Sequence, residues 1–261
     1  MEFLDPQPDD AVLAAIYTGG YFLGDQSTQA AHRRYNMKRA TGRLYVDMLL
    51  PSLPENSALL EIGCGHGEVL LEARSRGLRV SGIEISADAA AIANRRLGAL
   101  AVYTGTIETV PLERQQFQAI LAADVVEHVR DPQRWLLRIH ELLTPGGTLL
   151  LITPSLDSWT RRLLRGCWME YKVEHLYYFN AKSIALLMQR SGFHEIRVST
   201  NRKVLTFDYI ARHFDRFRVP LFSPLIALLR RVLPSRLAHR HLLIPAGGLV
   251  AIARKPGLPS R

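Results

Sequence analysis

Residues 58–67 read ALLEIGCGHG, a short apolar run that enters a turn with a glycine at every second position. The run predicts a buried strand, and the residues after the turn predict a helix over 67–76. Glycines in such a turn adopt backbone angles that other residues avoid, and they let a ligand approach the main chain. The amides at the start of the helix favour polar or anionic ligand groups. The stretch therefore predicts a strand, a binding turn and a helix.

The same alternation continues on both sides of the turn. Further strands are predicted over 78–83, 101–103, 117–122, 148–153, 195–200 and 246–254, and further helices over 11–17, 28–50, 87–97, 132–143 and 181–191. Gly19-Gly20 and Pro51 are predicted to end the first two helices, and Pro145-Gly146-Gly147 to form a turn. Residues 154–180 are predicted to be irregular. Strands that alternate with helices predict a mostly parallel sheet covered on both faces.

The chain of 261 residues carries a formal net charge of +9, and this charge is unevenly distributed. Residues 202–241 form an insert-like basic region with nine Arg or Lys against two Asp. We divide the chain into an N-terminal helical cap, 1–57, and a main domain, 58–261, that includes this insert. Basic charge beside Pro, Phe and Leu suits an anionic membrane surface, so the insert predicts a peripheral membrane contact. A solvated helical cap on the sheet is the alternative, and nucleic acid is disfavoured because the sequence has no recognised RNA-binding motif.

Cysteine usage and hydropathy bear on the compartment. The two cysteines, Cys64 and Cys167, do not make a disulfide framework, and no CxxC pair suggests zinc. The first ten residues are acidic and contain proline, unlike a secretory signal. No apolar run is long enough to span a bilayer. We therefore expect a cytoplasmic protein, with a peripheral position at the inner membrane face if the basic insert binds lipid. The oligomeric state stays open.

Acidic residues accompany the glycine turn. Glu61 interrupts the apolar strand just before the turn, where a carboxylate is costly unless a cationic group pairs with it. Glu84 closes the next predicted strand, a position from which a carboxylate takes both ribose hydroxyls in nucleoside-binding α/β proteins. Glu68 stands where a dinucleotide fingerprint has its third glycine, and its charge would oppose a pyrophosphate. The pattern thus argues against NAD and for another nucleoside ligand.

Together these motifs resemble those of class I S-adenosylmethionine (SAM)-dependent methyltransferases, over about residues 58–155. The resemblance implies a Rossmann-like, doubly wound α/β fold whose seven-stranded sheet is mostly parallel, with helices on both faces and an antiparallel last strand. It implies S-adenosyl-L-methionine as the cofactor, with its methionine part at the glycine turn, its ribose at Glu84 and its adenine near Ile85 and the loop 106–108. The cofactor-binding residues that it implies are Glu61, Gly63, Cys64, Gly65, Gly67, Glu84, Ile85, Thr106, Ile107, Glu108 and Asp124.

The loop DVVEH at 124–128 and the segment EHLYYFN at 174–180 are similar to those of ubiquinone-biosynthesis O-methyltransferases and related small-molecule enzymes. This similarity implies methyl transfer to an oxygen or nitrogen of a small-molecule acceptor, and the basic insert would suit an amphiphilic or lipid-linked one. His128 and His175 are the candidate catalytic bases, since histidine titrates near neutrality. Each also has a structural interpretation, His128 as a packing or capping residue and His175 as a hydrogen-bonded loop residue. Asp124, Glu127 and His128 could ligate a divalent cation, but three ligands from one short loop make a weak signal, and we predict no metal.

The acceptor and its class stay open in the sequence. Aromatic residues that could line its pocket, or belong to the core, are Tyr17, Tyr21, Trp159, Trp168, Tyr171, Tyr177 and Tyr178. A macromolecular methyltransferase acting on RNA or protein and a non-catalytic SAM-binding partner protein are the alternative functions. The Asn/Asp-Pro-Pro-Tyr loop that serves planar amino groups is absent after the fourth strand, where ADVV stands at 123–126, and this argues against methylation of base amino groups.

Overall fold

A seven-stranded sheet with helices around it forms the centre of the protein, in a computed structural model that describes residues 1–18 and 28–258. The strands are β1 (Glu2–Phe3), β2 (Ala58–Ile62), β3 (Arg79–Glu84), β4 (Val102–Thr104), β5 (Phe117–Ala123), β6 (Leu143–Pro154), β7 (Tyr177–Tyr178), β8 (His194–Leu205) and β9 (Leu242–Arg254). The helices are α1 (Asp10–Thr18), α2 (Thr28–Leu49), α3 (Glu68–Ser75), α4 (Ala87–Leu97), α5 (Pro132–Leu142), α6 (Trp159–Leu164), α7 (Ala181–Arg190), α8 (Phe207–Arg216), α9 (Phe222–Val232) and α10 (Ser235–Ala238).

The strand order of the main sheet is β4-β3-β2-β5-β6-β9-β8. Pairing is parallel from β4 through β6, whereas β9 runs antiparallel to both of its neighbours. The predicted Rossmann-like sheet, mostly parallel with an antiparallel last strand, is therefore confirmed. The carboxyl ends of β2, β3 and β5 lie at one edge, where ligands bind in open sheets of this kind.

Side-chain alternation in β2 builds the two layers beside the sheet. All five residues of this strand are buried. Leu60 and Ile62 pack into a core cluster on one face, and Leu59 packs into the cluster on the other. Truncating a side chain buried in this way typically costs about 2–5 kcal/mol. The strand is thus fixed firmly, and the turn that follows it is held in a defined place.

Local signals fix several helix ends. The Ser86 side chain accepts a hydrogen bond from the amide of Ala89 at the start of α4, and Gly98 ends that helix at a φ of +62°. Asp131 likewise caps α5, with Pro132 at its first turn. These residues satisfy amides and carbonyls that a helix end leaves without partners. The predicted bounds of α4 are confirmed, and those of α5 differ by one residue.

The strands on either side of the predicted basic insert are longer than the predicted 195–200 and 246–254. Strand β8 continues to Leu205 and β9 starts at Leu242, so pairs such as Val204 with Leu243 lengthen the hairpin beyond the predicted strands. Arg202 and Lys203 therefore belong to a strand, and the rest of the insert forms α8, α9 and α10. The predicted ends of these two strands were wrong because a long, partly exposed hairpin with charged residues has the composition of a loop.

Two other segments were also predicted incorrectly. Residues 154–180 contain α6 and β7 rather than irregular structure alone, and β7 pairs with β1 near the N-terminus. Pro145-Gly146-Gly147 lies inside β6, next to a shift of register between Phe117 and Ala119 of β5. Gly146 has a φ of +76°, so the local bend that was predicted as a turn occurs as an irregularity within a strand.

The N-terminal region packs on the same core as the sheet. Tyr45, Val46 and Leu49 of α2 are buried in the cluster that also contains Leu59. The division of the chain at residue 58 stays a prediction. Gly19-Gly20 was predicted to end the first helix, and Tyr21 was predicted to line the acceptor pocket. All three residues lie outside the described residues. Among the described helices, none is both long and apolar enough to cross a membrane.

Candidate functional site

The glycine turn has the backbone that its sequence predicts. Gly63, Gly65 and Gly67 have φ values of +71°, +53° and +79°, all in the left-handed region. A Cβ on Gly63 would lie 2.6 Å from Val125 Cγ2, and one on Gly67 would lie 3.1 Å from the Cβ of Ala93. A Cβ on Gly65 would have no described protein atom within 4 Å. Packing thus requires small residues at two of the positions, whereas Gly65 faces space in which a ligand could lie.

Glu84 holds this turn from the neighbouring strand. Its Oε2 accepts a hydrogen bond of 2.8 Å from the amide of Gly65, and its Oε1 accepts one of 2.9 Å from the amide of Ser86. The residue is only 2% exposed. Each carboxylate oxygen has two lone pairs, so Glu84 keeps acceptor capacity for ligand hydroxyls. The carboxylate predicted to bind ribose therefore also shapes the turn.

Cys64 and Glu61 lie beneath the turn and are buried. Burial, together with the charges of Glu61 and Glu84, raises the pKa of the Cys64 thiol well above its usual value, so this thiol is not a nucleophile at neutral pH. Burial, together with the charges of Glu68 and Glu84, also raises the pKa of Glu61 well above its usual value. Glu61 Oε2 has no hydrogen-bond partner among the described residues. A cationic ligand group would relieve that cost.

The residues predicted near the adenine have different environments. Ile85 is 51% exposed beside the glycine turn, whereas Ile107 is buried in the core cluster that includes Ile83. Thr106 is bonded within its own loop, where its amide donates to Thr109 Oγ1. Glu108 is exposed to solvent. Ile85 thus offers an open apolar surface to a ligand, and Ile107 supports the loop from below.

Asp124 follows β5 at the same edge of the sheet, with a φ of +56°. Lys203 Nζ lies 2.6 Å from its Oδ2. Desolvation alone would raise the pKa of Asp124, but the Lys203 ammonium outweighs it, and the pKa lies below its usual value. Lys203 was predicted only as part of the basic insert. Its role as the partner of Asp124 was missed because the two residues are far apart in sequence.

Glu127, His128 and His175 form a cluster beside Asp124. The rings of the two histidines lie 4.7 Å apart, edge to face. His128 Nδ1 lies 2.9 Å from the carbonyl oxygen of Glu174. Since a carbonyl only accepts hydrogen bonds, Nδ1 donates and the neutral ring carries its lone pair on Nε2. The structure therefore brings the two predicted bases together and indicates which nitrogen of His128 could accept a proton.

Burial shifts the pKa values of the two histidines and of Glu127 in opposite directions. It lowers the pKa of His128, and burial with the nearby charges of His128 and Lys172 lowers the pKa of His175 to about 3. Burial and the charge of Asp124 raise the pKa of Glu127 to about 8. A pKa near neutrality suits a proton carrier better than one near 3. Glu127, predicted only as a weak metal ligand, is thus a third candidate for proton transfer, and His175 is the weakest base.

The same cluster has the donor types of a metal site. One atom each from Glu127, His128 and His175 lies within 4.8 Å of the other two. Nδ1 of His175 and Oε1 of Glu127 have no hydrogen-bond partner in the part of the chain that is described. Imidazole nitrogen and carboxylate oxygen suit several divalent cations. The absence of a metal stays a prediction from the sequence.

A groove of about 620 Å³ is lined in part by Tyr178, whose ring centroid lies 6.1 Å from that of His175. One side is the N-terminal strap, residues 2–10, which is attached by the β1–β7 pairing and by a hydrogen bond from Leu4 N to Leu176 O. The lining residues are Glu2, Phe3, Leu4, Pro6, Gln7, Pro8, Tyr171, Lys172, Val173 and Tyr178. Tyr171 and Tyr178, which were predicted to line an acceptor pocket, thus face a mainly apolar groove, whereas Trp168 is buried beside them.

A family model described as "Methyltransferase domain" matches residues 30–198. The chain belongs to the methyltransferase domain family. The glycine turn, Glu84 and the cluster at 124–128 all fall within the matched stretch of this methyltransferase domain. The predicted resemblance is therefore confirmed.

Two curated relatives and one solved structure are similar to this domain. A ubiquinone biosynthesis O-methyltransferase of Cereibacter sphaeroides is 34% identical over 112 residues, 41% of this chain and 45% of the relative. A malonyl-[acyl-carrier protein] O-methyltransferase of Enterobacter lignolyticus is 29% identical over 136 residues, 51% of this chain and 53% of the relative. The chain thus spans about half the length of these relatives. A Thermotoga maritima structure, described as a SAM-dependent methyltransferase and possible histamine N-methyltransferase, aligns with a TM-score of 0.57 at 22% identity, covering 85% of this chain and 90% of that one.

Proposed function

We propose that this methyltransferase domain binds S-adenosyl-L-methionine and transfers its methyl group to a small-molecule acceptor. The observation that carries the proposal is the glycine turn, where Gly65 faces open space while Glu84 holds its amide. Beside the turn, the buried carboxyl of Glu61 has an oxygen without a partner among the described residues. One ligand would therefore meet the glycines of the turn, the carboxylate oxygens of Glu84 and the unpaired carboxyl oxygen of Glu61. An amino acid joined to a nucleoside through a sulfonium has groups to match each of them.

In this proposal the cofactor lies along the carboxyl edge of β2 and β3. Its methionine part lies at the turn near Glu61, and its ribose hydroxyls meet Glu84. The exposed side chain of Ile85 packs on the adenine, as does the loop that contains Thr106 and Glu108. Asp124 approaches the cofactor from β5, where Lys203 fixes the direction of its carboxylate.

Methyl transfer from a sulfonium is an in-line displacement that requires an aligned, deprotonated nucleophile. The protein's part is to position both ligands and to remove one proton from an acceptor hydroxyl or amine. Nε2 of His128 carries the lone pair that could take this proton. Glu127, with a pKa of about 8, lies in the same cluster and could exchange a proton with this site through a bridging water. No covalent intermediate is needed, which agrees with the raised pKa of Cys64.

The acceptor proposed is small and amphiphilic or lipid-linked. The groove beside the histidine cluster is mainly apolar and has a cationic residue, Lys172, in its lining. A molecule with an apolar tail would fill such a groove while its oxygen or nitrogen reaches His128. The basic insert is the part of the chain best suited to meet the membrane in which such an acceptor would reside.

The experiment is calorimetric titration of the purified chain with SAM and with S-adenosylhomocysteine, followed by labelled methyl transfer to fractions of a cell extract. We expect heats of binding for both compounds and label in a small-molecule fraction. Label in RNA or protein would show that the acceptor is a macromolecule and not a small molecule. Binding without any labelled product would indicate a non-catalytic partner protein. No heat with either compound would refute the proposal.

A further inference from the structure

Helix α9 shows an apolar face to solvent. Of its eleven residues, all of them described, none is buried. Leu225, Leu228, Leu229 and Val232 are 52%, 58%, 41% and 69% exposed. At about 100° per residue these four side chains lie within one sector of the helix. A surface helix of a globular protein normally has charged or polar residues there.

Two residues outside this sector, Phe222 at its edge and Arg230 farther round the helix, attach α9 to the protein. Phe222 packs against the cluster of Leu164, Trp168 and Val219. Arg230 forms ion pairs with Asp208 of α8 at 3.2 Å and with Asp215 of α8 at 2.9 Å. The helix is therefore anchored by Phe222 and Arg230, and the leucine-rich sector is exposed to solvent.

Exposed basic residues occur on α9 and in the chain on either side of it. Arg218, Arg231, Arg236 and Arg240 are all exposed. Residues 216–241 contain no Asp or Glu. The two acidic residues of α8, Asp208 and Asp215, already pair with arginines. An exposed apolar stripe within a segment of uncompensated positive charge is the pattern of a helix that lies in the plane of a membrane interface.

We propose that α9 is a membrane-docking helix, whose leucine-rich face enters the acyl boundary of an anionic bilayer while the arginines around it bind lipid phosphates. Charge complementarity favours an anionic bilayer as the partner of this helix, because each basic residue near an anionic surface adds to the attraction. A two-fold contact between copies of the chain through this face would instead bring two positively charged segments together. The proposal deepens the membrane contact of the insert named in the proposed function, but its evidence is the surface of the insert and not methyl transfer.

The insert also connects this surface to the candidate site. Val219 packs in a cluster with Tyr178, and Tyr178 lines the groove beside His175. Lys203, on the strand that leads into the insert, holds Asp124. A docked α9 would thus place the wall of the acceptor groove close to the lipid surface.

The test is co-sedimentation of the full chain with vesicles of phosphatidylcholine, alone or with one third phosphatidylglycerol, at low salt. We expect binding to the anionic vesicles and at least a ten-fold weaker partition for the triple variant Leu225→Gln, Leu228→Gln, Val232→Gln. These side chains are exposed, so the fold should survive, as circular dichroism will verify. The matched control is Leu100→Gln with Leu137→Gln, since both leucines are exposed elsewhere on the surface, and we expect it to bind like the unchanged chain.

A second variant separates charge from apolar contact. Arg231→Gln, Arg236→Gln and Arg240→Gln together should abolish the preference for anionic vesicles. Failure of the unchanged chain to bind anionic vesicles, or equal binding by the triple leucine variant, would overturn the proposal. The proposal would also be overturned if gel filtration showed that the unchanged chain is a dimer and that the triple leucine variant is a monomer. SAM titration of the same samples reports separately on the proposed function.

Discussion

Gly65 and Gly77 offer a matched pair for testing where the cofactor binds. Both have positive φ values, +53° and +80°, and a Cβ at either would have no described protein atom within 4 Å. An alanine in the left-handed region costs about 1–2 kcal/mol, so Gly65→Ala and Gly77→Ala should lower the free energy of unfolding by similar amounts. Gly65 lies in the proposed cofactor site, whereas Gly77 lies beyond the far end of α3. Only the first methyl group would occupy ligand space.

We therefore expect Gly65→Ala to weaken SAM binding at least ten-fold, about 1.4 kcal/mol, while Gly77→Ala binds within two-fold of the unchanged chain. Urea unfolding without ligand gives the stability difference, and calorimetric titration with SAM gives the affinity. Unchanged affinity in Gly65→Ala would place the ligand elsewhere. An equal loss in Gly77→Ala would show that backbone strain, and not the occupied space, explains the effect.

Three further predictions concern the acidic and histidine side chains of the site. His128→Ala should lower turnover by about 100-fold or more, as expected for loss of a general base, and leave SAM affinity within two-fold; near-normal turnover would remove His128 from the mechanism. Glu127→Gln should stabilise the folded protein at pH 7 by up to the order of 3 kcal/mol, since Glu127 keeps its proton up to a pKa of about 8 when folded but releases it near 4.5 when unfolded. The free energy of unfolding of the unchanged chain then falls as pH rises through this interval. Urea unfolding at pH 5, 7 and 8 should show that fall in the unchanged chain and not in the variant; the same pH profile in both would contradict the raised pKa. Glu84→Gln should weaken SAM binding about ten-fold, because its amide nitrogen cannot accept from the amide of Gly65 or Ser86; calorimetry that shows full affinity would exclude Glu84 as a ligand to the cofactor.

The central elements could be predicted because their signals are local. An apolar run before glycines predicts β2 and its turn, and Ser86 and Gly98 define both ends of α4 through neighbours only three or four residues away. The antiparallel direction of the last strand followed from the resemblance to a known family and not from the residues alone. Where a feature depends on adjacent residues, the sequence was sufficient.

Features that depend on distant residues could not be predicted. The contact of Lys203 with Asp124 joins residues 79 positions apart, and nothing near either residue indicates the other. The two-residue strand β1 forms only because Tyr177 and Tyr178 lie beside it. The raised pKa of Glu127 arises from burial and from the charge of Asp124, both consequences of tertiary packing. The apolar face of α9 was hidden within a region noticed mainly for its charge.

The N-terminal strap is held partly by contacts that water reaches. Arg161 pairs with Glu2, and Arg130 pairs with Asp10, through side chains that are each more than a third exposed. Exposed pairs of this kind stabilise by about 0–1 kcal/mol, and salt at about 1 M screens charges beyond about 3 Å. The composition of the buffer therefore becomes a structural variable: concentrated salt would weaken these two ion pairs and leave the strap held by the backbone pairing of β1 with β7.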